Sequence, residues 1–220
     1  ESLDPGKTSG VPEDNIERQL LEGLVVVGKD GKIAPGVATS WENKDFKVWT
    51  FKLRDNAKWS NGDPVTAQDF VYSWQRLTDP KTASPYGTYL ADAHVMNAQA
   101  IVDGKAKLDT LGVKAIDPHT LEVTLSEPVP YFVAMLTHSS VLPVNKGSID
   151  KFGEKWTQPG NYVGNGAYTL KEWTVNSKIA LERNKNYWND AATQINSVEM
   201  LPISEETTDV NRYKAGEIDV

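Results

Sequence analysis

The segment from Pro35 to Leu77 constrains the fold more than any other part of this chain, because the apolar period changes within it from two to that of a helix. Trp49, Phe51 and Leu53 alternate with Thr50, Lys52 and Arg54, the pattern of a strand with one buried and one wet face. Asn61-Gly62-Asp63-Pro64 supplies a turn, since glycine tolerates positive φ and proline cannot continue a ladder. A helix is predicted next: Thr66 and Asp69 have capping-box spacing, and Phe70, Trp74 and Leu77 fall on one helical face. Nothing in this segment is read as catalytic.

Further along, Ser84-Pro85-Tyr86-Gly87-Thr88-Tyr89 is read as a turn-rich loop with two exposed aromatics, and Met96 to Val102 as a helix stopping at Gly104. Asp117-Pro118-His119-Thr120 turns into a strand whose inward face is Leu121, Val123 and Leu125, and Pro128 follows that strand. Tyr131 to Leu136 is a short apolar helix. Ser148 to Trp156 is another, shortened or broken by Gly153. Strands are predicted over 166–170, 177–183 and 197–201. Strands and helices mixed without βαβ spacing predict α+β or mixed α/β lobes, not a doubly wound sheet. No internal repeat or low-complexity linker is present.

Both ends predict a fragment. The chain opens at Glu1-Ser2-Leu3-Asp4-Pro5 without Met or a signal peptide. Near the other end, Ser204-Glu205-Glu206 opens a predicted helix running through Val210 and Tyr213 to Gly216, and Glu217 to Val220 alternates like a strand just beginning.

With 220 residues, 39% of them hydrophobic, the chain can bury a substantial core. A net charge of −7 argues against nucleic-acid binding, which depends on Lys and Arg neutralising phosphates. No apolar run approaches the roughly 20 residues of a membrane helix. The absence of cysteine leaves the redox compartment open.

Signs of enzymatic chemistry are sparse. His94, His119 and His138 match no metal-ligand spacing, and no thiolate could complete a site. Gly164-Asn165-Gly166 lacks the third glycine of a dinucleotide fingerprint and precedes a strand instead of opening a helix. Neither a nucleophile elbow nor a phosphate-cradling loop occurs. Asp63 and Asp69 could pair as acid and base, but a turn and a helix cap account for both. No cofactor and no metal are expected. The seven tryptophans are read mainly as core, with one or two available to a cleft. Ser9-Gly10-Val11-Pro12 is either an ordinary loop or a stretch whose free Ser9 and Val11 backbone groups take a peptide by strand addition.

The chain resembles, over its whole length, the peptide-binding receptors of ABC importers, extracytoplasmic solute-binding protein family 5. The resemblance rests on SLDP at the start, Glu22-Gly23-Leu24, the Pro35–Leu77 segment, DPKTASPY ending at Tyr86, LGVKAIDPHTLEVTLSEPVPYF, KFGEKWTQPGN, Asn165 to Leu170 and DVNRYKAGEID. It implies a periplasmic-binding-protein-like fold of three lobes: 1–21 and 146–220 in the first, 22–145 as the second, and the third absent from this chain. It implies a periplasmic, monomeric receptor that holds short extended peptides and delivers them to permease subunits. Murein peptides are the alternative ligand within the family. Peptide hydrolysis, or a purely structural or chaperone-like surface role, are the alternatives outside it.

The same resemblance assigns the peptide to Ser9, Gly10 and Val11, sets Tyr86 facing the ligand, and puts His138 where a cleft-lining histidine stands. A structural role for His138 is the competing reading. Anchors for the peptide termini are implied in the third lobe. Some relatives have an acidic residue where this chain has Ser9, so a weaker preference for basic guest side chains is expected here.

Overall fold

The computed structural model describes residues 2–203 and 205–220. In chain order the elements are α1 (Val11–Leu20), β1 (Val25–Val27), β2 (Ile33–Pro35), β3 (Ala38–Lys44), β4 (Val48–Leu53), α2 (Ala67–Thr78), α3 (Tyr89–Asp92), α4 (Ala98–Val102), β5 (Val113–Asp117) and β6 (Thr120–Thr124). They continue with α5 (Phe132–Met135), α6 (Lys146–Phe152), β7 (Tyr168–Thr174), β8 (Lys178–Arg183), β9 (Ser197–Met200) and α7 (Glu206–Lys214). Every named strand pair is antiparallel. The sheets have orders β1-β2, β3-β4-β6-β5 and β7-β8-β9, so the architecture is mixed α and β without a doubly wound sheet.

The four-stranded sheet follows from the period-two pattern. Trp49 pairs with Val123 and Phe51 with Leu121, which puts their side chains on the buried face. Against β5 and β6 packs α2, whose Phe70, Trp74 and Leu77 are all buried. Burying side chains of this size contributes about 1.5–3 kcal/mol each. The Trp74 indole N–H donates to the Val141 carbonyl at 3.0 Å, so its polar edge is not left unpaired in the core. The capping box is formed: the Asp69 carboxylate accepts the Thr66 amide at 2.7 Å and the Thr66 hydroxyl at 3.0 Å. One continuous apolar core runs from Leu3 through both larger sheets to Leu181, and it includes Trp49, Trp59, Trp74 and Trp156.

Several expectations shift. The strand expected over 166–170 is β7, starting at Tyr168, because Gly164 and Gly166 are used for close packing. A Cβ on Gly164 would lie 2.1 Å from the Leu20 carbonyl oxygen, and one on Gly166 2.5 Å from that of Gln19. Between them the Asn165 side chain accepts the Glu22 amide and donates to the Glu22 carbonyl, both at 2.9 Å. The glycine pair therefore seats this loop on the end of α1. Gly153, at φ +56, ends α6 at Phe152 and leads into a 3-10 turn.

Glu217–Val220 does not form the expected strand: no described strand offers these residues a partner, and alternation alone cannot satisfy backbone groups. The predicted cap at Ser204 lies outside the described residues. The helix it was to open is present as α7, with Val210 and Tyr213 exposed.

Candidate functional site

The residues singled out from the sequence converge on one surface cavity of about 230 Å³, lined by Thr8, Ser9, Gly10, Val11, Asp14, Arg18, Tyr86, His138 and Ser139. One wall is the chain entering α1. Gly10 is its extended N-cap at φ −93 and ψ 150, and its carbonyl accepts the Asp14 amide. Of the expected loop or strand-addition stretch, Ser9 and Gly10 lie outside any element while Val11 is the first residue of α1. Pro12 sits in the first turn, where its fixed φ and missing N–H suit a helix start. The Val11 carbonyl consequently enters the helical ladder and is not free for a guest, a correction to the expectation for that group. The Val11 N–H, one of the orphan donors of a helix start, and both Ser9 backbone groups have no partner among the described residues.

The opposite wall is aromatic. The Tyr86 ring meets the His138 imidazole edge-on with centroids 4.6 Å apart, and Tyr89 stacks on the same imidazole at 4.6 Å and 25°. Tyr89 is fixed by its hydroxyl, which donates to the Met135 carbonyl at 2.9 Å. Both tyrosines are half-buried against the core, not exposed as expected from the turn-rich sequence. His138 caps a 3-10 turn, its Nδ1 accepting the Ser140 amide at 3.2 Å. Burial lowers its pKa, and Arg18 lowers it further while Asp14 opposes them.

Between the walls lies an ion pair. Arg18 Nε donates to Asp14 at 2.7 Å, and its Nη1 donates to the Thr137 carbonyl at 2.7 Å, tying α1 to the segment before His138. Burial is the largest single effect on the Asp14 carboxyl and raises it, but the hydrogen bonds from Arg18 and Ser139 with the nearby positive charge of Arg18 and His138 together outweigh burial and bring the carboxyl below its ordinary value. Behind the first wall, Glu17 is fully buried. Its Oε1 accepts the Thr8 hydroxyl at 2.7 Å, and its Oε2 has no partner. Burial, reinforced by Asp4, Asp14 and Glu13, pushes this carboxyl up to about 8.

The groups considered for other chemistry lie apart. His94 pairs with Glu127 at 3.0 Å, and the His119 carbonyl accepts the Leu53 amide in the turn between β5 and β6. Asp63 is bonded to Asn61, and Asp69 serves its cap. Among the described residues, no three His, Asp or Glu side chains are grouped to hold a metal ion, and no helix is long and apolar enough to cross a membrane.

Residues 32–220 match the family model described as bacterial extracellular solute-binding proteins, family 5 Middle. The chain belongs to this family. It is 65% identical over 220 residues to the periplasmic oligopeptide-binding protein OppA of Escherichia coli strain K12, which covers all of this chain and 40% of that protein. It is 52% identical over 219 residues to the periplasmic murein peptide-binding protein MppA of the same strain, covering all of this chain and 41% of that one. Among solved structures, unliganded open MppA superposes at a TM-score of 0.97 with 52% identity, over 100% of this chain and 42% of that one. Haemophilus influenzae OppA in complex with RPPGFSPFR gives 0.97 with 55% identity, over 99% and 43%. The chain therefore spans about two fifths of the length of the relatives it matches, and its fold is that of periplasmic solute-binding proteins.

Within this family fold, Thr8, Asp14, Arg18 and Ser139 line the cavity without having been singled out from the sequence. The four-residue interval from Asp14 to Arg18 was a usable signal, since it places opposite charges together on a helix. The proximity of Thr137 and Ser139 had none, because it depends on a contact spanning more than 100 residues, from Arg18 to Thr137.

Proposed function

We propose that this chain is the N-terminal part of a periplasmic receptor that captures short peptides in extended form and delivers them to the permease subunits of an ABC importer. The supporting observation is the cavity in which Ser9, Gly10, Val11, Tyr86 and His138 meet, in a chain 65% identical to OppA. The free Ser9 backbone groups and the free Val11 N–H recognise what all peptides share, while water in a roomy cavity lets side chains vary at little cost. Residues 1–21 with 146–220 form one lobe and 22–145 the second. Consistent with this, the four-stranded sheet lies wholly inside 22–145 and the three-stranded sheet wholly inside 146–220. The receptor works as a monomer and carries out no chemical step on its guest.

Calorimetric titration of the full-length protein with trialanine, followed by mass analysis of the recovered peptide, tests the reading. Saturable one-to-one binding with the peptide intact is expected. A hydrolysed peptide would establish the enzymatic alternative, and absence of binding would remove the receptor role.

A further inference from the structure

The imidazole of His138 is held in one protonation and tautomeric state by its own turn. The Ser140 backbone N–H points at Nδ1 from 3.2 Å, and a backbone amide can only donate. Nδ1 must then be an unprotonated acceptor, and the Ser140 hydroxyl, 2.9 Å from the same nitrogen, donates to it as well. The remaining proton of the neutral ring is on Nε2. That nitrogen has no partner among the described residues and is not one of the fully buried atoms lacking one, and the ring that carries it lines the cavity. The ring cannot swing away without losing its contacts to Tyr86 and Tyr89.

We infer that His138 is a specificity-determining hydrogen-bond donor, presenting Nε2–H to an acceptor oxygen of the guest peptide, a backbone carbonyl or a carboxylate, and excluding donor groups such as an ammonium from that position. This inference rests on the peptide-binding reading of the cavity. The charged groups around the ring are consistent with it. Asp14 and Arg18 neutralise one another at 2.7 Å, and Tyr86 and Tyr89 contribute only ring faces and hydroxyls. Protonating Nδ1 would also expel the Ser140 amide from its acceptor, in line with the lowered pKa of this histidine.

The test has two arms on the full-length protein. Long-range nitrogen–proton correlation NMR at neutral pH, without peptide, is expected to show a single His138 signal set of the Nε2–H tautomer. The Nδ1–H tautomer or an imidazolium would overturn the inference whatever the protein binds. In the second arm, His138→Asn keeps an acceptor for the Ser140 amide but no donor toward the cavity, whereas His138→Gln extends an amide N–H to about the Nε2 position. Affinity for trialanine is expected to fall roughly two- to tenfold in His138→Asn, the range for one lost hydrogen bond. It should stay closer to wild type in His138→Gln, even though that variant loses the cap and melts lower. Wild-type affinity in His138→Asn would overturn the donor role. Failure of the wild-type protein to bind trialanine would instead overturn the receptor reading. C-terminally amidated trialanine separates the two acceptors: an unchanged penalty for His138→Asn identifies a backbone carbonyl, and its disappearance identifies the carboxylate.

Discussion

Replacing Glu17 with Gln should make the chain less stable in acid and more stable in base, and the reason lies in a carboxyl with nowhere to put its charge. Glu17 is fully buried, one of its oxygens has no partner, and its pKa rises from 4.5 to about 8. The acid is thus neutral in the folded chain and ionises readily in the unfolded one. Its stabilising contribution is complete below the unfolded value of 4.5 and declines as pH rises toward 8, with no further loss above that. At about 1.4 kcal/mol per pH unit, the loss is on the order of 3 kcal/mol near neutrality and up to about 5 kcal/mol above pH 8. Gln removes this dependence and keeps an acceptor for Thr8, at a constant cost of about 1–3 kcal/mol for its unpaired amide donors. The two stability curves should cross between about pH 5 and pH 7. Urea denaturation of both chains from pH 4 to pH 9 measures the difference directly. Parallel curves, or a variant that gains stability toward acid, would show that Glu17 does not hold its proton in the folded state.

Four further substitutions probe the fold and the cavity. Gly166→Ala drives a methyl into the backbone at Gln19 and Leu20, so it should destabilise by more than about 2 kcal/mol in denaturant titration, whereas Gly31→Ala, where nothing lies within 4 Å but φ is +75, should cost only the strain of about 1 kcal/mol. Arg76→Ala strips Asp4 of a bidentate partner held at 2.9 and 2.5 Å and leaves a buried carboxylate, a loss of about 3–5 kcal/mol by the same measurement. Tyr86→Ala should weaken peptide binding by the full-length protein by about 1–2 kcal/mol in calorimetry. Because Tyr86 packs on His138 and the core, it should lower the melting temperature as well.

Much of this fold is legible residue by residue where a single element sets the pattern. The alternation at Trp49, Phe51 and Leu53, the face of Phe70, Trp74 and Leu77, and the strand of Leu121, Val123 and Leu125 all bury the predicted side chains, since period and burial are one constraint. Legibility fails where a distant partner decides. The start of β7 depends on how closely Gly164 and Gly166 approach Leu20, and Glu217–Val220 has strand alternation with no edge to join. The cavity divides in the same way. Pro12 announced the helix start that takes up the Val11 carbonyl, but the neighbouring glycine drew that stretch toward a loop reading. The His138 cap depends on Ser140 only two residues away, yet it forms only because the intervening turn is 3-10.

Val11 provides the most direct test of the account. Its N–H has no partner among the described residues, Gly10 already has the extended conformation that precedes proline, and proline is tolerated at a helix start, so Val11→Pro should fold while deleting the donor proposed to meet the guest. Val11→Thr keeps both the shape and the amide. Titrating the full-length wild type and both variants with trialanine, with circular dichroism confirming the fold of each, should give unchanged affinity for Thr and a loss exceeding about 1.5 kcal/mol for Pro, as expected for a desolvated bond. Equal affinities in the two folded variants would contradict the claim that this helix entry holds the peptide.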